Sequence, residues 1–233
     1  MTPYLLSILE GSLLVLQVGL ASLLVAVVLG MTGALAKTSG SPTAVWMADV
    51  YATVIRGVPD LVLMLLLFYG GQMGLNALLE ALGDWPAIEI DPFAAGVLTL
   101  GFIYGAYMTE TFRGAILAIP KGQMEAAMAF GMRPWQVFWR ITLPQMIRLA
   151  LPGFTNNWLV LMKSTALVSL LGLQDMTYLA KQAGAAARGE ITNAPLLFLA
   201  FAALLYLAMT SASMLVLGWL EKKYSAGVRQ ERD

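Results

Sequence analysis

Long stretches without a charged residue, separated by short charged segments, are the feature that most constrains the fold of this chain. Residues 11–36 and 191–220 contain 26 and 30 consecutive residues without Asp, Glu, Lys or Arg. About 20 apolar residues are enough for a helix to cross the hydrocarbon core of a bilayer. Because a lipid-exposed backbone must satisfy its own hydrogen bonds, helices are the expected spanning elements. The sequence therefore predicts an all-α, polytopic membrane protein.

The uncharged stretches predict about five transmembrane helices in a single membrane domain that occupies residues 1–233. The expected spans are residues 11–36, 44–79, 92–117, 151–173 and 191–220. The first stretch is far longer than the ~7–15 apolar residues of a signal peptide, and no basic residue precedes it, so we expect a retained helix. In the second region Pro59 lacks an amide hydrogen, which predicts a helix that ends near Val58 and restarts at Asp60.

The residue composition excludes several kinds of chemistry. Hydrophobic residues make up 59% of the chain, and 14 acidic residues balance 14 basic ones, so no basic field attracts nucleic acid. Histidine and cysteine are both absent from the sequence, which leaves no disulfide, thiol nucleophile, imidazole base or usual metal site. Lys163-Ser164 is similar to the end of a phosphate-binding loop, but Met162 replaces the glycine that such a loop requires. We expect a non-enzymatic chain without a metal site or nucleotide of its own.

The basic residues predict the orientation of the chain, because lysine and arginine are retained in the cytoplasm. With five spans, ten of the 14 bases fall on one side of the membrane: Lys37, Arg113, Lys121, Arg133, Arg140, Arg148, Lys222, Lys223, Arg229 and Arg232. The other side has only Lys181 and Arg188, and its first loop carries Glu80, Asp84, Glu89 and Asp91 without a base. We predict an N-terminus outside, a C-terminus in the cytoplasm and a cytoplasmic loop at residues 119–148.

That cytoplasmic loop is predicted to contain two short helices. The first extends from Lys121 to Phe130, and Gly131 suits the left-handed residue that follows a helix. Pro134 suits the first turn of the second helix, which carries an apolar and aromatic stripe. One interpretation is an interfacial helix pair that lies on lipid headgroups, where tryptophan and arginine are favoured.

The same loop carries a spaced motif. Glu-Ala-Ala, three further residues, Gly, nine further residues and Ile-x-Leu-Pro follow each other without a gap, and the motif residues are Glu125, Ala126, Ala127, Gly131, Ile141, Leu143 and Pro144. The pattern resembles the EAA loop in the permease subunits of bacterial ATP-binding-cassette (ABC) importers. The resemblance implies the type I importer permease fold, in which this loop is a coupling helix that docks into a groove of a cytoplasmic ATPase.

Other segments extend the resemblance from about Leu5 to Val228. Residues 56–59, 106–114, 156–158 and 163–169 resemble the polar amino-acid branch of that family, and residues 56–70 and 99–115 are similar to permeases for histidine, lysine, arginine and ornithine. The implied function is the ATP-driven translocation of amino acids, above all basic ones, across the bacterial inner membrane. Another polar amino acid or an opine remains an alternative cargo.

The resemblance also implies the partners of the chain. They are a homologous permease subunit, most simply in a heterodimer, two copies of an ABC ATPase and a periplasmic amino-acid-binding protein. ATP and magnesium are then bound by the ATPase rather than by this chain. With five spans, the predicted N-terminus is periplasmic.

Charged residues inside the predicted spans are the candidate substrate contacts. An unpaired charge at mid-bilayer costs at least ~2.5–3.5 kcal/mol, so Lys163 is expected to face the bundle interior and to have a partner. Lys163 with the hydroxyls of Ser164 and Thr165 suits a substrate carboxylate, and Asp60 or Glu110 suits a cationic group. The alternatives are internal ion pairs that only order the helices: Lys163 with either acid, or Glu110 with Arg113 three residues further along the same helix.

Two other classes of membrane protein compete with the importer subunit. A secondary transporter has its own ion-coupling site and functions without an ATPase. A structural membrane subunit binds partners without any substrate-dependent activity. The complete spacing of the Glu125 to Pro144 motif disfavours both classes.

Overall fold

A computed structural model describes residues 2–83, 85–189 and 191–225 of the chain, so the predicted loop and tail charges Asp84, Arg229 and Arg232 lie outside the described residues. Within these ranges the regular structure is helical throughout, as predicted. The helices are α1 (Thr2–Thr38), α2 (Pro42–Gly57), α3 (Asp60–Gly83), α4 (Pro92–Leu117), α5 (Lys121–Ala129), α6 (Pro134–Val137), α7 (Leu143–Ser164), α8 (Met176–Ala186) and α9 (Ala194–Ser225). A π-helical turn (Phe138–Thr142) joins α6 to α7, and a 3-10 helix (Thr165–Leu171) follows α7.

Four of the described helices, α1, α3, α4 and α9, are long and apolar enough to cross a membrane. A fifth span results if the helical run Pro134–Leu171 is joined with α8, which is bent by 55° from it. The number agrees with the prediction of about five. The end helices are longer than their predicted spans of residues 11–36 and 191–220, because an isolated charge such as Glu10 is exposed on the helix surface and does not end the helix.

The region predicted as one span at residues 44–79 is two helices. Val58 between them has the extended conformation, with φ −112° and ψ 140°, which a residue before proline prefers. The carbonyl of Pro59 accepts the amide of Leu63 at 3.1 Å, so the new helix starts directly after the proline. The predicted break is therefore present, and Asp60 occupies the first turn of α3.

The fourth span was predicted to begin near Leu151, but α7 begins at Leu143 and no loop precedes it. It continues the π-helical turn, in which the amide of Leu143 donates to the carbonyl of Phe138. Pro144 has no amide hydrogen to give to the preceding turn, and its ring crowds that turn, so a wider π-helical turn is a way to keep the helix continuous. The last part of the motif, Ile141 to Pro144, and the predicted fourth span thus share one helical run.

Helices α1 and α4 cross at very short distance and form the centre of the bundle. A Cβ atom added to Gly30 would lie 2.4 Å from Met108 Cβ, and one added to Gly33 would lie 2.3 Å from Thr109 Oγ1. From the other side, a Cβ on Gly101 would meet Val25 at 2.5 Å. Residue numbers increase together along both helices at these contacts, so the two helices run parallel.

A second apolar cluster lies at the other end of α1. The first half of α1 packs there against α8 and α9 through buried side chains that include Ile8, Val15, Met176 and Phe198. Asp175 begins α8, and its side chain accepts the amide of Tyr178 at 2.9 Å. The bundle is therefore held at both ends of α1.

The short distance between α1 and α4 generates a stability prediction. Gly30→Ala should destabilise the folded chain by about 1–3 kcal/mol, because a methyl group there overlaps Met108 and the helices must separate. Gly218→Ala in α9 is the matched control, since a Cβ there meets no described atom within 4 Å. We expect a lower midpoint of thermal unfolding for Gly30→Ala in detergent and an unchanged or higher one for Gly218→Ala. Equal midpoints for the two variants would contradict the close crossing.

Candidate functional site

Helix α5 ends as the sequence predicted, through a glycine in the left-handed conformation. Gly131 has φ +84°, and its amide donates to the carbonyl of Met128 at 2.9 Å. The next amide, of Met132, reaches back to the carbonyl of Ala127 at 3.1 Å. This pair of hydrogen bonds is a Schellman motif, which satisfies the last carbonyls of the helix and reverses the chain toward α6.

The reversal folds α5 back against the beginning of α7. Gln145 Nε2 donates to Gln123 Oε1 at 2.7 Å, and the side chain of Ala127 is 5% exposed in the contact. Between the two helices lies an open groove of about 530 Å³. Residues lining it include Ala126, Phe130, Ile141 and Pro144. Four of the seven motif residues, Ala126, Ala127, Ile141 and Pro144, therefore line one groove although they come from both ends of the motif.

The motif residues divide into a packed set and a surface set. Ala127 is buried, Ile141 and Leu143 are half-buried, and the remaining members, Glu125, Ala126, Gly131 and Pro144, are exposed. Phe130 is 90% exposed beside them, and an exposed aromatic ring at a groove marks a surface for another protein. We name this surface, formed by α5 and residues 130–145, the coupling surface.

A chain of hydrogen bonds joins three helices near the middle of α4. The hydroxyl of Tyr104 donates to Asp60 Oδ2 at 3.1 Å, and its oxygen lies 2.7 Å from Ser164 Oγ. Tyr104 is 2% exposed, whereas Asp60 and Ser164 are half-buried. The predicted candidates Asp60 and Ser164 are thus held together through a tyrosine that the sequence did not assign to them.

Lys163 does not face the interior of the chain, which corrects the sequence-based expectation. Its neighbours Leu161 and Met162 are fully buried, and Lys163 lies on the opposite, exposed face of α7. Neither Asp60 nor Glu110 forms an ion pair with it, and the described part of the chain offers it no other acceptor within bonding distance. The expected internal Lys163 pair is therefore wrong for this structure.

Thr165 belongs to a different polar group from Ser164. Its hydroxyl donates to the carbonyl of Met162 at 2.7 Å, as is usual where a helix tightens, and it lies 3.4 Å from the hydroxyl of Tyr206 in α9. Thr165 is 1% exposed. The change from α-helix to 3-10 helix after Ser164 thus separates the two neighbouring hydroxyls, and Thr165 is buried away from Asp60.

Glu110 forms an ion cluster near the end of α4. As one of the two alternatives predicted, it pairs with Arg113, with 2.8 Å between Glu110 Oε2 and the guanidinium. Its other oxygen lies 2.5 Å from Lys37 Nζ at the end of α1, and Lys37 also contacts Asp49 Oδ1 of α2 at 2.6 Å. The side chain of Lys37 is 7% exposed. Lys37 therefore links the end of α1 to both α2 and α4.

Sequence reasoning missed two members of these groups for identifiable reasons. Lys37 is the first base after a 26-residue uncharged run, so it was assigned to orientation alone. Its pairing with Glu110 follows from the parallel arrangement of α1 and α4, which the five-span topology already implied. Tyr104 carried no such signal, because tyrosines in apolar helices are usually packing residues.

Comparisons with known proteins agree with this geometry. Residues 26–226 match the family model described as "Binding-protein-dependent transport system inner membrane component". The histidine/lysine/arginine/ornithine transport system permease protein HisQ of Escherichia coli is 51% identical over 96% of this chain and 95% of its own length. The nopaline transport system permease protein NocQ of Agrobacterium fabrum is 35% identical over 95% and 92%.

Solved structures show the same fold. A chain from the crystal structure of an amino acid ABC transporter with histidines has a TM-score of 0.76 and 29% identity, with 96% of both chains covered. A chain of the inward-facing MetNI methionine ABC transporter has a TM-score of 0.73 at 15% identity, with 97% of this chain and 99% of that chain covered, and shows the fold alone. The predicted family and type of fold are confirmed. The chain therefore belongs to the inner membrane components of binding-protein-dependent transport systems, as a multi-pass, non-catalytic ABC permease subunit.

Proposed function

We propose that this chain is the permease subunit through which an ABC importer carries basic amino acids, namely histidine, lysine, arginine and ornithine, across the inner membrane. The observation that carries the proposal is the 51% identity, over nearly the whole chain, with a permease named for those four amino acids. Asp60 supports it physically. No described residue forms an ion pair with this half-buried carboxylate, so its charge is free to attract a cationic substrate.

The proposed assembly has a second, homologous permease subunit, most simply in a heterodimer, with two ATPase copies and a periplasmic binding protein. Lys163 supports the second permease, because an exposed ammonium in a membrane span needs a protein or aqueous neighbour rather than lipid. ATP and magnesium belong to the ATPase in this assembly. A substrate carboxylate remains the proposed ligand of Lys163. Ser164, predicted as a second carboxylate contact, has its hydroxyl bonded to Tyr104, and the buried Thr165 and the paired Glu110 hold the helices around the site.

In the proposed orientation the N-terminus is periplasmic, and the C-terminus and the coupling surface are cytoplasmic. The support is the distribution of lysine and arginine, which are retained on the cytoplasmic side. Because α1 and α4 run parallel, both helices end beside the coupling surface. In this orientation the C-terminal ends of both helices are therefore cytoplasmic.

The proposed cycle begins when ATP draws the two ATPase copies together. That motion reaches this chain at the coupling surface, and α7 continues it toward the substrate pathway. From Leu143 to Ser164 the helix has 22 residues, or about 33 Å at 1.5 Å per residue. Its far end contacts Tyr104, which binds Asp60. The permease then opens outward for cargo, and hydrolysis resets it.

An opine is the second candidate cargo. Permeases named for nopaline and octopine transport are 35% and 34% identical to this chain over 95% of its length. The higher identity with the histidine, lysine, arginine and ornithine permease favours the amino acids. Uptake assays that include nopaline beside arginine distinguish the two cargoes.

Gly131→Pro tests whether the coupling surface transmits the motion. Proline fixes φ near −65° and has no amide hydrogen, so it permits neither the φ of +84° nor the bond to Met128. In the complete importer in proteoliposomes, we expect binding protein still to dock but to stimulate no ATP hydrolysis. Gly218→Ala is the control, because this glycine lies in α9, outside the coupling surface, and its Cβ would meet no described atom within 4 Å. Normal stimulation in Gly131→Pro would contradict the proposed coupling.

Asp60→Asn tests the cargo contact. A hydrogen bond to a charged group contributes about 1.5–3 kcal/mol, and about 1.4 kcal/mol is a factor of ten, so arginine uptake should fall roughly tenfold or more relative to glutamine uptake. The measurement is ATP-dependent uptake of both amino acids by the reconstituted importer. Glu89→Gln removes an exposed acid elsewhere and should leave the ratio unchanged. An unchanged ratio in Asp60→Asn would remove Asp60 from the pathway.

A further inference from the structure

Tyr104 occupies an unusual position among the aromatic residues of the bundle. It is almost fully buried in α4, yet its hydroxyl makes two side-chain hydrogen bonds, one to α3 and one to the end of α7. Its ring stacks on Tyr107, with centroids 5.6 Å apart, and the guanidinium of Arg56 lies over the Tyr107 ring at 5.6 Å. Arg56 is thus held on an aromatic face and makes no ion pair with Asp60 among the described residues.

The direction of the hydrogen bonds follows from the groups themselves. An ionised carboxylate only accepts, so the single proton of the Tyr104 hydroxyl is donated to Asp60 Oδ2. Ser164 must then donate its own proton to the Tyr104 oxygen across 2.7 Å. Hydrogen bonds in such a chain polarise one another, so each is stronger than it would be alone.

This chain of bonds leaves one carboxylate oxygen available. No described residue donates a hydrogen bond to Asp60 Oδ1. Asp60 stands in the first turn of α3, directly after Val58 and Pro59. A hydroxyl from the neighbouring helix is what fixes its side chain.

We propose that Tyr104 is a positioning residue for cargo selection: it holds Asp60 Oδ2 so that Oδ1 faces the cationic group of a basic amino acid. The proposal rests on the proposed function, since it assumes that Asp60 receives the cargo. Tyr104 itself does not touch the cargo, because it is 2% exposed. Ser164 supports Tyr104 from the end of the helix that begins at the coupling surface.

Tyr104→Phe tests the proposal, because it removes the hydroxyl and keeps the ring that packs the bundle. Tyr51→Phe is the matched control. The Tyr51 hydroxyl also donates a hydrogen bond to α4, to the carbonyl of Phe102 at 2.6 Å, but this bond involves no carboxylate. In the reconstituted importer we expect Tyr104→Phe to lower the ratio of arginine to glutamine uptake about fivefold, the size of an ordinary net hydrogen bond, because the charge of Asp60 itself is kept. Tyr51→Phe should leave that ratio unchanged.

The double variant Asp60→Asn, Tyr104→Phe separates positioning from a structural role. If Tyr104 acts through Asp60, the double variant should have the same uptake ratio as Asp60→Asn alone. An unchanged ratio of arginine to glutamine uptake in Tyr104→Phe would overturn the proposal, whether both uptakes stay the same or both fall by the same factor. If Asp60→Asn alone leaves the ratio unchanged, the assignment of Asp60 fails and the role of Tyr104 fails with it. A lowered ratio in Asp60→Asn with an unchanged one in Tyr104→Phe overturns only the positioning role.

Discussion

The close, parallel crossing of α1 and α4 organises the helix bundle. Glycines at positions 30, 33 and 101 bring the two backbones together, and side chains of the opposite helix fill the space that a Cβ would need. In lipid such packing is a main source of helix association, because burial of apolar surface gives little advantage there. Both helices end at one face of the bundle, where Lys37 pairs with Glu110. The crossing thus positions the ion cluster, and α4 positions Tyr104.

Helix α7 connects the coupling surface with the hydrogen-bonded residues around Tyr104. One end adjoins the groove that the Glu-Ala-Ala motif forms with Pro144, and the other end carries Ser164 against Tyr104. The π-helical turn before Pro144 keeps this connection helical where a proline would otherwise break it. In the proposed function, a displacement of the coupling surface reaches the neighbourhood of Asp60 through a single continuous element. The chain needs no catalytic chemistry of its own, because it belongs to a family of inner membrane components of transport systems.

The sequence predicted the fold class, the break at Pro59 and the left-handed Gly131, because each follows from local chemistry or from the length of an uncharged run. It proposed Asp60 and Ser164 as contacts for opposite charges of the cargo, and it did not predict that Tyr104 connects them. It failed for Lys163, since the face of a helix that becomes buried depends on the packing of its neighbours and on subunits outside the chain. Thr165, which the sequence grouped with Ser164, is separated from it for a related reason: the change to a 3-10 helix turns its side chain away from that of Ser164.

In the proposed cycle, nucleotide bound by another chain opens the polar face formed by Asp60, Tyr104 and Ser164 to the periplasm. Because this chain lacks cysteine, Tyr107→Cys introduces a single thiol on that face, one helical turn after Tyr104. The decisive measurement is the rate at which a membrane-impermeant thiol reagent, added from the periplasmic side, modifies this thiol in the complete importer with binding protein. We expect a faster reaction when a non-hydrolysable ATP analogue is present. The same rate with and without the analogue, or an increase in a preparation that lacks the ATPase, would contradict it.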